Sequence, residues 1–253
     1  MSKSFTQAVP MATLKTSGLH VVKDYDAMSQ WTANFIRRET ASKPDLLLCA
    51  SAGGTPTGSY QRLSDLHESN PKLFRKWRVL QIDEWGGLDS GNDATCKAYL
   101  ENHLLRPLRI DRRRFAGFRT DASDPERECK RIAQWLIRNT PIDICLLGLG
   151  LNGHIAMIEP AKEIMPHAHV ARLAASSLNH GMLKDLATKP GYGLTLGMAD
   201  ILRSRRVLLL VSGNKKRAAL KRLLEGRIST EFPASFLWLH PDMKVVCDRD
   251  AYG

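Results

Sequence analysis

Four short segments hold the side chains that could do chemistry. The richest runs from Ile144 to Pro160, Ile-Cys-Leu-Leu-Gly-Leu-Gly-Leu-Asn-Gly-His-Ile-Ala-Met-Ile-Glu-Pro, and sets Asn152, His154 and Glu159 close together. A histidine gives and takes protons near neutral pH, and a carboxylate can orient it. Asp83 and Glu84 are a second acidic candidate, directly after Val79-Leu80-Gln81-Ile82 and before Trp85-Gly86-Gly87. The other two segments suit an anion. In Ser51-Ala-Gly-Gly-Thr-Pro56, Gly53 and Gly54 allow a tight turn after an apolar run. Thr55 is a good N-cap and Pro56 a good first helical residue, so the free N–H groups of a helix start would face the ligand. Ser212-Gly213-Asn214-Lys215-Lys216 repeats that pattern with lysines added. Lysines at a helix N-terminus oppose its dipole, which asks for a functional reason, and phosphate binding by Lys216 supplies one.

Three look-alikes carry less. Gly148-Leu-Gly-Leu-Asn-Gly153 spells the dinucleotide fingerprint G-x-G-x-x-G, but much of the chain precedes it. Pro160 would also interrupt a helix begun at Gly153 after about two turns. The loop at Gly53 is not a Walker A motif, because G-K-[ST] is absent. His167, His169 and His180 fit no standard metal spacing and read as surface histidines, so no metal is expected.

These segments sit in an alternation of strands and helices. Short or apolar runs at 19–22, 46–50, 79–82, 144–148, 192–197, 207–211 and 243–247 read as strands, with a further short one at 115–118. Helical spacing or end signals mark 25–39, the stretch after Pro56, 95–105, 124–138, the stretch from Lys216 to Glu225, and a short helix at 233–240. Asp83 to Gly87 reads as a site loop at a strand's end. The pattern predicts an α/β fold with a doubly wound, mainly parallel sheet flanked by helices, Rossmann-like in type. One domain is expected over 1–253, with 1–17 irregular. In such sheets ligands bind beyond the carboxyl ends of the strands.

Composition narrows the class. The chain has 253 residues, 43% of them hydrophobic, enough for a large core. No apolar run approaches the 18 or so residues of a membrane span, and the N-terminus lacks the apolar core of a signal peptide, so the cytoplasm is the expected location. Five cysteines, odd in number and without C-x-x-C spacing, read as core thiols of a reducing compartment. The net charge of +11 fits a phosphorylated or polyanionic partner, or equally a solvated basic surface. The basic residues lie in scattered clusters (72–78, 112–114, 203–206, 215–222) with no nucleic-acid-binding module, so nucleic acid is not the expected partner.

Ser51-Ala-Gly-Gly-Thr-Pro56, Ile82-Asp-Glu-Trp85, the segment from Gly148 to Pro160 and Gly213-Asn-Lys-Lys216 stand in an order and spacing that resembles the glucosamine/galactosamine-6-phosphate deaminase/isomerase family, which shares its fold with 6-phosphogluconolactonases. The resemblance covers about residues 25 to 248. The Glu159-Pro160 ending looks like the amino-sugar enzymes; a Phe-Pro ending is usual in the lactonases. The resemblance implies that Asp83 is the base moving a proton between C2 and C1. It implies that His154 helps open the sugar ring and that Glu159 orients it. Gly53, Gly54, Thr55 and Lys216 would contact the phosphate. Asn152 is a departure: glucosamine-type enzymes have Asp there, and an Asn cannot take a proton, so a carboxylate relay through it is lost. Galactosamine-type members resemble this chain in that Asn, in Asp-Glu-Trp and in Pro233-Ala-Ser-Phe-Leu-Trp-Leu-His240. A second departure lies near Leu183, where a phosphate-holding arginine of the glucosamine enzymes is replaced; Lys184 is the nearest cation to substitute for it.

The expected activity is therefore conversion of galactosamine 6-phosphate (or glucosamine 6-phosphate) to a ketohexose 6-phosphate and ammonia, without metal, nicotinamide or other cofactor. The alternatives are a 6-phosphogluconolactonase, with His154 activating water, and a non-catalytic sugar-phosphate-binding regulator. The partner is the small-molecule substrate, with a homo-oligomer left open.

Overall fold

The computed structural model describes residues 18–253, so the irregular stretch expected over 1–17 lies outside the described residues. Its strands are β1 (Leu19–Val22), β2 (Leu47–Ala50), β3 (Arg78–Gln81), β4 (Asp83–Gly86), β5 (Phe115–Ala116), β6 (Ile144–Gly148), β7 (His169–Ala171), β8 (Tyr192–Thr195), β9 (Arg206–Val211) and β10 (Met243–Asp248). The α-helices are α1 (Tyr25–Ser42), α2 (Gly54–Ser69), α3 (Cys96–Leu100), α4 (Pro125–Asn139), α5 (Ala175–Leu178), α6 (Met198–Leu202), α7 (Arg217–Leu224) and α8 (Arg249–Tyr252).

Seven strands form one parallel sheet in the order β1-β10-β9-β6-β2-β3-β5. Its central strands read as unbroken apolar runs because both faces are covered. Successive side chains alternate between two cores. Leu47, Cys49, Cys145, Leu147 and Leu209 join Ile132, Leu136, Leu220 and Leu223 from α4 and α7 on one face. Leu48, Ala50, Ile144, Leu146 and Leu208 join Met28, Phe35, Ile36, Tyr60 and Leu63 from α1 and α2 on the other. Each fully buried leucine or isoleucine contributes about 1.5–3 kcal/mol relative to exposure. All five cysteines are free and buried. Among the described residues no helix is long and apolar enough to cross a membrane.

Strand order places the site. From β2 the chain builds outward through β3 to β5, then returns to the other side of β2 with β6 and builds outward again through β9 and β10. The loops leaving β2 and β6 therefore diverge, and the reversal opens a crevice at the carboxyl ends of these two strands.

Three local expectations change. Asp83–Gly86 is a strand, not a loop: β4 pairs antiparallel with β8, and β8 with β7, in a separate three-stranded sheet. All four β4 residues are buried, so the two acids conceal a strand that no apolar pattern announces. The Tyr192 strand is present but belongs to this antiparallel sheet, and β7 is too short to leave a sequence signal. Thr55 does not cap α2. The helix starts at Gly54 with Gly53 as its N-cap, at φ 110°. Only glycine takes that backbone cheaply, so the turn closes earlier than the threonine-cap reading allows.

Candidate active site

The crevice is a pocket of about 310 Å³. The β2–α2 loop, the loop after β6 and Lys216 after β9 line one end; Asp83 and Trp85 of β4 line the other, and residues 176–182 cover a side. The structure thus brings Asp83, His154, Gly53, Gly54, Thr55 and Lys216 to one cavity, with Asn152 and Glu159 behind His154.

The two adjacent acids have different surroundings. Glu84 is fully buried and saturated with donors. It accepts from Gln81 Nε2 (2.8 Å), from the backbone N–H of Trp85 (2.8 Å), and from those of Cys96 (2.7 Å) and Lys97 (2.8 Å). It therefore ties β4 to the start of α3, supplying acceptors to N–H groups that a helix leaves free. Burial still pushes its pKa up, against those donors. Asp83 is buried too, but no donor to its carboxylate is found among the described residues, and it faces the pocket. Burial, and then the charge of Glu84, raise its pKa to about 7. A carboxyl poised near neutrality can both take and return a proton.

His154 is steered through Asn152. The Asn152 Oδ1 accepts from His154 Nδ1 at 2.7 Å and from the His154 backbone N–H at 3.2 Å. Its Nδ2 donates to Glu159 Oε2 at 2.9 Å. Only this amide orientation satisfies both neighbours. Glu159 lies 3.5 Å from His154 Nδ1, so its influence on the ring passes mainly through the amide. Glu159 also accepts from the Ala174 N–H at 3.3 Å and from the Ser177 hydroxyl. Burial disfavours its ionised form, but the His154 imidazole 3.5 Å away and hydrogen bonds from Ser177 and Asn152 outweigh this and hold the carboxyl at about 2. The carboxylate stays charged, the amide transmits its polarity, and His154 Nδ1 keeps its proton, leaving Nε2 as the acceptor. The ring packs over Gly150, where any Cβ would collide with it.

The opposite end suits an anion. The α2 N-terminus offers free N–H groups and the positive end of the helix dipole. The Tyr99 hydroxyl donates to the Gly53 carbonyl and the Tyr25 hydroxyl to that of Gly54, both at 2.8 Å, fixing the loop from behind. Lys216 Nζ donates to the Leu149 carbonyl at 2.5 Å, across the pocket floor. Burial lowers its pKa.

Lining residues that the sequence did not single out include Ser51, whose buried hydroxyl has no partner among the described residues, Trp85 and His180. Ser51 and Trp85 stand in segments that the sequence marks for their glycines and acids, and a histidine in the polar run Ser-Ser-Leu-Asn-His-Gly carries no periodic or motif signal. Lys184, the suggested substitute for the arginine, does not line the pocket; it is 73% exposed and lies 3.9 Å from Asp185. Leu183 itself is fully buried. Among the described residues no group of three or more His, Cys, Asp or Glu could hold a metal ion.

The profile of a family described as glucosamine-6-phosphate isomerases/6-phosphogluconolactonase matches residues 23–246. Glucosamine-6-phosphate deaminase 1 of Bacillus subtilis is 35% identical over 229 residues, 90% of this chain and 95% of that protein. AgaI of Escherichia coli, a deaminase by provisional assignment, is 35% identical over 222 residues, 88% of each chain. Among solved structures, a monomeric glucosamine-6-phosphate deaminase superposes with a TM-score of 0.89 at 34% identity, covering 92% of this chain and 98% of that one. A 6-phosphogluconolactonase from Trypanosoma brucei gives 0.75 at 20% identity, over 93% and 97% of the two chains, a likeness of fold alone.

Proposed function

Because the chain belongs to the family of glucosamine-6-phosphate isomerases and 6-phosphogluconolactonases, we propose that it is an amino-sugar-6-phosphate deaminase/isomerase. The observation that carries this reading is Asp83, a buried carboxyl with a pKa of about 7 that faces the same cavity as His154 and the anion-suited loop.

In the proposed reaction the α2 N-terminus (Gly53, Gly54, Thr55) and Lys216 anchor the phosphate, giving binding energy remote from the reacting carbons. His154 Nε2 takes the proton of the anomeric hydroxyl, the ring C–O bond breaks, and the proton passes to the ring oxygen. The open aldehyde acidifies C2–H. Asp83 removes that proton while O1 takes one from the C2 ammonium, giving an enolamine; Asp83 then returns its proton to C1, so the C1 carbonyl is reduced to the alcohol as C2 is oxidised to an iminium. Water hydrolyses the iminium to the ketone and releases ammonia. One carboxyl serves both carbons, which suits a group titrating near neutrality.

The proposed preferred substrate is galactosamine 6-phosphate, giving tagatose 6-phosphate. Support comes from Asn152, the residue in which galactosamine-type members resemble this chain. Asn152 sits behind His154 and does not line the pocket, so any preference it confers acts through the imidazole and not through contact with the sugar. A lactonase would need His154 but leave Asp83 idle. Lactonase structures share only the fold here, whereas the glucosamine-6-phosphate deaminases of two Bacillus species share 35% and 33% of the sequence.

The test is ammonia release by purified protein from galactosamine 6-phosphate and glucosamine 6-phosphate in parallel, with 6-phosphogluconolactone hydrolysis alongside. Ammonia from neither, with lactone hydrolysed, would overturn the reading.

A further inference from the structure

The phosphate end of the pocket has one lysine for a dianion, and that lysine already donates to the Leu149 carbonyl. Among the described residues, the other lining side chains able to carry positive charge are His154 and His180. His154 is committed to Asn152. His180 is not.

Its geometry is specific. His180 Nδ1 accepts from the backbone N–H of Met182 at 3.3 Å. In the neutral ring the proton therefore sits on Nε2. That Nε2 hangs over the β2–α2 loop, 3.5 Å from the point where a Cβ would stand at Gly53. Trp85 backs the ring at a centroid distance of 5.9 Å. Gly53 lacks a side chain at the point where the imidazole, the helix N-terminus and Lys216 converge.

We infer that His180 is a phosphate-binding residue of this pocket, donating its Nε2–H to the substrate's phosphate beside Gly53. The inference rests on the amino-sugar-phosphate reading of the site and adds a side-chain ligand to Lys216 and the α2 N-terminus. His180 keeps exposed surface, but partial desolvation of the ring, then the charges of His154 and Lys216, hold its pKa below the ordinary histidine value, so the ring is a neutral donor. A bound dianion favours the protonated ring and strengthens the same bond. Lys184 has no such approach, being exposed beside Asp185.

The experiment uses the full chain and inorganic phosphate as probe. Calorimetry gives the phosphate Kd, and ammonia release gives kcat and KM, for wild type, His180→Ala, His180→Gln and Lys184→Ala. Loss of one charge-assisted bond should weaken phosphate binding about tenfold in His180→Ala and raise KM by a similar factor, with kcat within about twofold. His180→Gln keeps an N–H donor and should recover part of the loss. Lys184→Ala should match wild type. An unchanged phosphate Kd in His180→Ala, or a fall in kcat at constant KM, overturns the inference. If the variants misfold, the His180 ring resonances of the wild type decide: they move on adding phosphate, or the inference fails. Wild type that binds phosphate through His180 but releases no ammonia would overturn the amino-sugar reading and leave the ligand assignment standing.

Discussion

The two ends of the pocket are built by different sheets. The phosphate end is framed by loops leaving β2, β6 and β9, adjacent or near neighbours in a parallel sheet buried on both faces. Much of its binding capacity is backbone, the free N–H groups of α2. The proton-transfer end depends on Asp83, on a four-residue strand of the small antiparallel sheet, and on an amide bridge between His154 and Glu159. A backbone-built anion site survives most side-chain changes around it. A site built from single side chains fails with one substitution. The neighbours Asp83 and Glu84 show this most sharply, since one faces the cavity without a donor and the other is fully engaged in holding β4 to α3.

The largest expected effect separates the two ends. Asp83→Asn should lower kcat by about 10³-fold or more, as expected on losing a positioned general base, while the calorimetric phosphate Kd stays within about twofold. Near-normal turnover would remove Asp83 as the base. The same variant should not be less stable at pH 8. An acid whose folded pKa exceeds its unfolded value binds its proton more tightly when folded. It therefore costs stability as pH rises from the unfolded pKa near 4 to about 7. Asparagine abolishes that cost, so urea midpoints of variant and wild type should diverge in the variant's favour between pH 5 and 8.

Glu84→Ala should do the opposite. It strands three backbone N–H groups and the Gln81 amide, all buried or partly so, at a cost of about 3 kcal/mol. Urea unfolding should show that loss. A variant as stable as wild type would mean that α3 does not depend on this acid. The pH profile of kcat/KM then sharpens the pair. Turnover needs ionised Asp83, so kcat/KM should fall about tenfold per pH unit below pH 7 and level off above it. Glu84→Gln, which removes the neighbouring charge, should move that limb to lower pH.

The same contrast governs what the sequence discloses. Strands of the parallel sheet are legible because burial on both faces demands apolar runs, as in Leu47 to Ala50 and Val207 to Val211. The glycine loops are legible because turns and helix starts constrain residue type. The small sheet is not: β4 reads Asp-Glu-Trp-Gly, and its burial depends on hydrogen bonds from α3 that only the fold brings near. His180 reaches the pocket only because residues 176–182 fold over Gly53, a contact between distant parts of the chain that spacing cannot foretell. Asn152, by contrast, stands out as a residue type where a carboxylate would be expected. Its role as a bridge follows only from the 2.7 and 2.9 Å contacts on its two sides.

Asn152→Asp is the smallest and most discriminating change. The new carboxylate would replace an N–H donor 2.9 Å from Glu159 Oε2, setting two like charges together. One of them must bind a proton more tightly in the folded protein, so stability should be near that of wild type at pH 4 and fall by about 1–2 kcal/mol towards pH 7. The bridge that orients His154 would loosen, and turnover should drop about tenfold, in keeping with loss of a hydrogen bond that positions a catalytic ring. Phosphate affinity should not change, because the residue lies outside the anion end. The ratio of kcat/KM for the two epimers is the decisive readout. A shift towards glucosamine 6-phosphate would make the amide at 152 a determinant of epimer preference acting through His154. An unmoved ratio would assign that preference to the pocket wall that touches the sugar, where Trp85 and Ser51 stand.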